Sequence, residues 1–219
     1  MKVCASLMSC DLLNIESEIR IIESAGVDGL HIDVMDGKFV PNITFGIEFI
    51  KRIAECSKLP TNVHLMIENP ENFIDIIAYC KVNMIIIHVE GNRNIEGMIQ
   101  KIHGFGIKVG IAINPQTSIE QFSYIYGLVD VVVIMGVHPG FGGQTLISST
   151  LDKIEPLKKI LKNTDVKIAM DGGLNEENSK IAIKKGVDIL IMGSYLFDNN
   201  AVDKVFDMKN KINKICQIV

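Results

Sequence analysis

Apolar residues fall along this chain in short continuous runs, as in Met84-Ile85-Ile86-Ile87, Val131-Val132-Val133-Ile134-Met135 and Ile189-Leu190-Ile191-Met192. Strict alternation would mark strands with one wet face. Unbroken β-branched and Leu/Met runs mark strands buried on both faces, as in a parallel sheet covered by helices. The pattern predicts strands near residues 3–7, 29–34, 61–66, 84–89, 108–113, 130–135, 166–170 and 189–193. Between them apolar positions recur at helical spacing, predicting helices near 13–25, 46–57, 70–80, 94–105, 117–126, 149–163, 176–185 and 200–216. Strand and helix repeat about every 27 residues, the length of one strand–helix unit of an eight-stranded barrel. The fold class expected is α/β: one domain over residues 1–219, a (β/α)8 TIM barrel of eight parallel strands. A doubly wound open sheet is the structural alternative, because it alternates the same elements without needing eight of them.

A weak internal repeat supports the periodic reading. Ala25-Gly26-Val27-Asp28-Gly29-Leu30-His31-Ile32-Asp33 resembles Lys185-Gly186-Val187-Asp188-Ile189-Leu190-Ile191-Met192-Gly193. Leu128-Val129-Asp130-Val131-Val132-Val133-Ile134-Met135-Gly136 is a third copy, and Asn83-Met84-Ile85-Ile86-Ile87-His88 a looser fourth. Each reads as a helix end, a tight turn and a buried strand.

Composition narrows the partners. With 219 residues, 47% hydrophobic and 22% charged, the chain has material for one core and its helical ring. A net charge of −4 offers nucleic acid no basic face, and the C-terminal lysines Lys204, Lys209, Lys211 and Lys214 are interleaved with Asp203 and Asp207 as on a solvated helix. The five cysteines are widely spaced without a CxxC pair, which suits reduced thiols in the cytoplasm. No apolar run approaches the roughly 20 residues of a membrane span, so neither a membrane anchor nor export is expected.

In a closed barrel the C-terminal strand ends converge on one face, so distant residues can meet there. Those ends carry Ser6, His31 with Asp33, His64, His88, Asn114, His138, Asp171 and Ser194. His31 and Asp33 stand two apart on one strand, so both side chains point to the same face. His64 ends the next strand and Asp171 faces them across the mouth. Two imidazoles and two carboxylates suit one divalent cation such as zinc, iron(II), manganese or cobalt, with positions left for substrate oxygens. Hydrogen-bonded packing is the plainer explanation of any one of them alone. Glycines form a second group: Pro139-Gly140-Phe141-Gly142-Gly143-Gln144, Gly172-Gly173 and Gly193-Ser194. Singly these are turns. Together, on three consecutive strand ends, they let backbone N–H groups approach an anion, which points to a phosphate ester.

These residues carry a family resemblance. Ala5-Ser6-Leu7-Met8-Ser9-Cys10-Asp11, His31 through Asn42 (HIDVMDGKFVPN), His64-Leu65-Met66, Pro139 through Gln144, Asp171-Gly172-Gly173 and Gly193-Ser194 together resemble the ribulose-phosphate 3-epimerase family along nearly the whole chain. The resemblance implies a metal-dependent isomerase of carbohydrate metabolism, in the pentose phosphate pathway. It implies that His31, Asp33, His64 and Asp171 bind one divalent metal and that Asp33 and Asp171 are the two catalytic acid/base groups. Ser6 and His64 would contact the sugar, while Gly140, Phe141, Gly142, Gly143, Gly172, Gly173, Gly193 and Ser194 would hold the phosphate, with Asp171 also at the substrate. Met35, Met66 and Met135 correspond to methionines lining the pocket, though core packing accounts for them equally well. A homo-oligomer is expected.

The implied reaction interconverts D-ribulose 5-phosphate and D-xylulose 5-phosphate. Ser6-Leu7-Met8 and Asp11-Leu12-Leu13 look more like the D-allulose-6-phosphate branch, which would form D-fructose 6-phosphate. Other phosphate-gripping barrels, decarboxylases or synthases, would share the glycines but not the four His and Asp residues, and a non-catalytic sugar-phosphate binder would need no metal. Residues Val137 to Ser148 form a candidate lid. His138 reads as a rim residue, His88 as packing or support, and His103 as a solvated helix residue.

Overall fold

The computed structural model describes residues 1–92, 94–197 and 203–216. Eight parallel strands, β1 (Lys2–Ser6), β2 (Gly29–Met35), β3 (Thr61–Met66), β4 (Met84–His88), β5 (Lys108–Ile113), β6 (Val131–Met135), β7 (Lys167–Asp171) and β8 (Ile189–Met192), pair in chain order around a closed barrel. Closure is made by β1 against β8, with Cys4 opposite Ile191, and it excludes the open-sheet alternative. Outside lie α1 (Ile15–Ala25), α2 (Ile47–Cys56), α3 (Ile74–Ala78), α4 (Ile95–Gly104), α5 (Ile154–Ile160), α6 (Glu176–Lys185) and α7 (Lys204–Cys216). Residues 200–202 of the expected last helix lie outside the described residues. No described helix is long and apolar enough to cross a membrane.

The unbroken strand runs feed two separate cores. Cys4, Met84, Ile86, Ala112, Val131, Val133, Ala169 and Ile191 fill the barrel interior. Their neighbours, such as Ile32, Val63, Ile85, Val109, Val132 and Leu190, face outward and pack with Ile19, Ile22, Ile50, Ile99 and Ile102 of the helices. Successive side chains point to opposite faces, so a strand with both faces buried is apolar along most of its length.

Three predicted helices take a different form, and the one expected over 70–80 opens as a 3-10 turn, Pro70–Asn72, before the short α3. The segment expected to be helical at 117–126 is a 3-10 run, Glu120–Leu128. Ser123 Oγ donates to the Glu120 carbonyl and the buried Tyr126 hydroxyl to that of Ile119, so local side-chain bonds compete with the α ladder. The helix expected over 149–163 begins as a 3-10 turn, Ser148–Lys153, before α5. Pro156 is the reason: it has no N–H for the Asp152 carbonyl and is tolerated only in a first turn, where α5 places it.

The sequence repeat has a structural meaning. Asp28, Asn83, Asp130 and Asp188 each precede an even-numbered strand, and each clamps one residue of the strand before it. Their side-chain oxygens accept the N–H of Val3, Thr61, Val109 and Ile168 at 2.8–2.9 Å. Their own N–H groups donate to the carbonyls of the same four residues at 2.8–2.9 Å. The repeat is therefore one two-bond clamp used four times at the N-terminal end of the barrel, tying β1 to β2, β3 to β4, β5 to β6 and β7 to β8. Removing one acceptor leaves a strand N–H unpaired. Asp188→Ala is expected to lower stability by about 1–2 kcal/mol in urea titration, with Asp188→Asn, which keeps an acceptor, losing less.

Candidate active site

The opposite end of the barrel gathers the chemistry. On β2, His31 and Asp33 point inward from alternate positions, and the register sets Asp33 beside His64 of β3. Asp171 closes β7 on the other side of the mouth. His31 Nε2 lies 3.3 Å from Asp33 Oδ1, 3.6 Å from Asp171 Oδ2 and 3.4 Å from His64 Nδ1. His64 Nδ1 lies 3.3 Å from Asp33 Oδ1 and 3.5 Å from Asp171 Oδ2. The four donor atoms all fall within 4.8 Å of one another, and all four residues are buried. Four donors each about 2.0–2.1 Å from a tetrahedral zinc-like ion would be about 3.3 Å apart, so this set fits one divalent cation.

The electrostatics fit the same occupant. Burial pushes the Asp33 carboxyl upward, but the charge of His31 and hydrogen bonds from His31 and His64 outweigh it and hold the group well below the carboxylate range. Burial pushes the His64 imidazole downward, but hydrogen bonds and attraction from Asp171 and Asp33 raise it to about 9. Without another cation, a proton on His64 must balance the two carboxylates.

Neighbours hold these side chains still. Ser6 Oγ donates to Asp33 Oδ2 at 2.6 Å, which leaves Oδ1 for the cluster. Thr44 Oγ1 donates to the Asp33 carbonyl and accepts the Met35 N–H at 2.9 Å, fixing the end of β2. Beyond the cluster, His64 Nε2 meets His88 Nε2 at 3.0 Å and His88 Nδ1 meets Glu90 Oε2 at 3.0 Å. Burial pushes His88 down to about 4. His103 lies far off on α4, paired with Asp130 at 3.1 Å.

Above the cluster opens a cleft lined by Ser6, Asp33, Met35, Met66, Met135 and Asp171 and by the glycine segments Gly140–Gly143, Gly172–Gly173 and Gly193–Ser194. The carboxylates border the cleft, whereas His31 and His64 have no exposed surface and lie beneath it; His64, expected also to touch the sugar, does not border it. Phe141 is half exposed at the rim and His138 exposed beside it. The Val137–Ser148 segment is tethered: Asn42 Nδ2 donates to the Gly140 carbonyl at 2.7 Å, and Gln144 Nε2 to the His138 and Phe141 carbonyls at 2.8 Å.

Comparison with known proteins agrees with this arrangement. The family model described as ribulose-phosphate 3 epimerase family matches residues 2–197. The chain belongs to the ribulose-phosphate 3-epimerase family. A ribulose-phosphate 3-epimerase of Bacillus subtilis is 36% identical over 98% of this chain and 97% of its own length. That of Chlamydia trachomatis is 38% identical over 96% and 90%, and that of Methanocaldococcus jannaschii 38% identical over 92% and 86%. A mutant tryptophan synthase α-subunit from Pyrococcus furiosus superposes with a TM-score of 0.71 over 99% of this chain and 97% of that one, at 15% identity, a likeness of fold alone.

The long family motif from His31 to Asn42 reads physically as two donors followed by a loop that builds itself. Asp36 accepts the N–H groups of Lys38, Phe39 and Glu68, and Asn42 reaches the glycine loop. Sequence reasoning passed over Glu90 and Thr44. Glu90 carried a usable signal, since His88-Val89-Glu90 repeats the two-residue spacing of His31-Ile32-Asp33; Thr44 carried none, because its role depends on how the loop after β2 returns.

Gly172 and Gly173 both have positive φ, 95° and 69°, and a Cβ on Gly173 would lie 2.5 Å from the Leu146 backbone nitrogen. Gly173→Ala is therefore expected to cost about 1–3 kcal/mol in thermal unfolding, from φ strain and displacement of the loop lining the cleft.

Proposed function

We propose that this chain is a metal-dependent 3-epimerase that interconverts D-ribulose 5-phosphate and D-xylulose 5-phosphate. The observation that carries the reading is the buried, closely spaced set of two imidazoles and two carboxylates, of which the carboxylates alone border the cleft. His31, Asp33, His64 and Asp171 would hold one divalent cation, zinc, iron(II), manganese or cobalt being compatible with these donors. When bound, the ion supplies Lewis-acid stabilisation of the negative charge that develops on the ketone and C3 hydroxyl oxygens.

The residues of the chain do the remaining work. The C3 proton is acidified by the adjacent C2 ketone, and one of Asp33 and Asp171 takes it. The other delivers a proton to the opposite face, inverting C3. Their origin on β2 and β7 puts them on opposite sides of a substrate lying between. Ser6, bonded to Asp33 Oδ2, keeps that carboxylate aimed at the site. Backbone N–H groups of Gly140–Gly143, Gly172, Gly173, Gly193 and Ser194 would take the phosphate, anchoring the far end of the sugar so that C3 sits over the carboxylates. Met35, Met66 and Met135 give the reacting centre apolar walls that exclude water.

A second substrate is favoured by one feature. Ser6 and Met8, within the Ser6-Leu7-Met8 stretch that resembles the allulose-phosphate branch, line the cleft, so D-allulose 6-phosphate is the competing ketose. Metal-loaded protein incubated with each sugar in deuterated water should place deuterium at C3 and yield the C3 epimer, and the faster sugar names the substrate. Asp33→Asn or Asp171→Asn should slow this by at least about 10²-fold. Deuterium in neither sugar, or near-normal turnover by either variant, rejects the assignment.

Cation binding must also displace the proton that His64 holds up to about pH 9. With the imidazole raised above its ordinary value, that proton's contribution to the stability of the metal-free protein is complete below about pH 6.5 and is lost as pH rises through about 9. Apparent affinity for Zn²⁺ should therefore rise about tenfold per pH unit toward pH 9 and then level. Calorimetry at pH 7.5 in buffers of different ionisation enthalpy is expected to show close to one proton released per site; no release at that pH contradicts the placement of the proton.

A further inference from the structure

We infer that His88 and Glu90 are positioning residues that fix the tautomer of His64, keeping its Nε2 protonated so that Nδ1 is the nitrogen offered to a cation in the four-donor cluster. The inference rests on the metal reading above. It follows from counting donors and acceptors along one chain of contacts.

A carboxylate only accepts. Glu90 Oε2 stands 3.0 Å from His88 Nδ1, so the His88 proton is on Nδ1. A neutral imidazole then presents a lone pair at Nε2, and this atom lies 3.0 Å from His64 Nε2. His64 must donate there, so Nδ1, 3.3 Å from Asp33 Oδ1 and 3.5 Å from Asp171 Oδ2, is the nitrogen whose proton a cation would displace. Each contact leaves one choice, and the last choice is the one a cation needs.

The far end of the chain is anchored. Glu90 Oε1 accepts the Asn114 N–H at 2.8 Å, and Lys153 Nζ binds the Asn114 and Thr117 carbonyls at 2.9 and 2.6 Å, holding that loop in place. The Phe39 ring covers His88 with centroids 4.8 Å apart, so water is kept from the two imidazoles. His31 has no such support: its Nδ1 is buried without a partner among the described residues. Orientation of the cluster through a second layer therefore runs through His64 alone of the two imidazoles.

Glu90→Gln tests the polarity of the chain without changing its shape. If the Gln amide nitrogen faces His88, His88 must donate from Nε2, and the His64 proton moves to Nδ1, against a cation. If the amide oxygen faces His88, the nitrogen opposes the Asn114 N–H, donor to donor. Either way the arrangement is weakened, and outer partners of metal-bound histidines are worth about 10- to 100-fold in affinity.

The experiment compares wild type, Glu90→Gln and His88→Gln by chelator competition for Zn²⁺ and by long-range ¹H–¹⁵N correlation of ¹⁵N-histidine protein. Near-UV circular dichroism checks folding, and Glu90→Gln decides alone if His88→Gln does not fold. The result expected is wild-type His64 metal-bound at Nδ1 with its proton on Nε2, and an affinity about 10- to 100-fold lower in the variants. Loss of the Nε2-protonated form of His64 in Zn²⁺-saturated Glu90→Gln would support the same conclusion. Wild type that does not bind Zn²⁺ overturns the metal reading and this inference with it. Wild type that binds, with the folded variants within twofold of it and the His64 tautomer unchanged, overturns the relay alone.

Discussion

Two carboxylates held within a few ångströms of each other and almost wholly out of water are the constraint on which the rest of the molecule turns. Asp33 and Asp171 cannot both stay ionised there unless positive charge sits between them. A proton on His64 supplies that charge, and a divalent cation held by the same four residues, as proposed above, would supply it instead. Much of the surrounding structure, from Ser6 on Asp33 to His88 on His64, can be understood as aiming lone pairs at the same point.

Holding such a cluster requires a rigid wall, and the closed barrel provides it by dividing labour between its ends. At the N-terminal end, four Asx clamps tie strands in pairs with the same two bonds each. At the C-terminal end, side chains that would be costly in a core replace apolar ones: His31, Asp33, His64 and His88 occupy positions where the lower layers carry Met84, Ile86, Val133 and Ala169. Stability is invested at one end and chemistry at the other, and the apolar interior between them keeps the cluster dry from below.

The cleft joins two kinds of recognition on adjacent strands. In the proposed reaction the carboxylates over the buried donors would address the reacting carbon, and glycine backbone on the loops after β6, β7 and β8 would address the phosphate. Asn42 links the two, since it ends the motif that begins at His31 and bonds to Gly140. A shift of the loop after β2 would therefore be felt at both ends of a bound sugar phosphate.

Much of this was legible from residues alone. Apolar runs of the right length and spacing determined eight strands, because strands buried on both faces are polar only where a site needs it. The pair His31 and Asp33 was readable from its two-residue spacing, and the glycine segments from their places after consecutive strands. Other features needed the folded chain. Pro156 pushed the start of α5 inward, and Tyr126 and Ser123 turned an expected α-helix into a 3-10 run, because local hydrogen bonds and a missing N–H compete with helical spacing in ways that periodicity does not register. That His64 lies beneath the cleft while Asp33 and Asp171 border it, and that Glu90 reaches His64 through His88, depends on strand register and loop closure across the barrel. Sequence determines which groups are available and on which face of a strand they stand; only the closed barrel decides which of them meet, and at what distance, since those contacts join residues from four different strands.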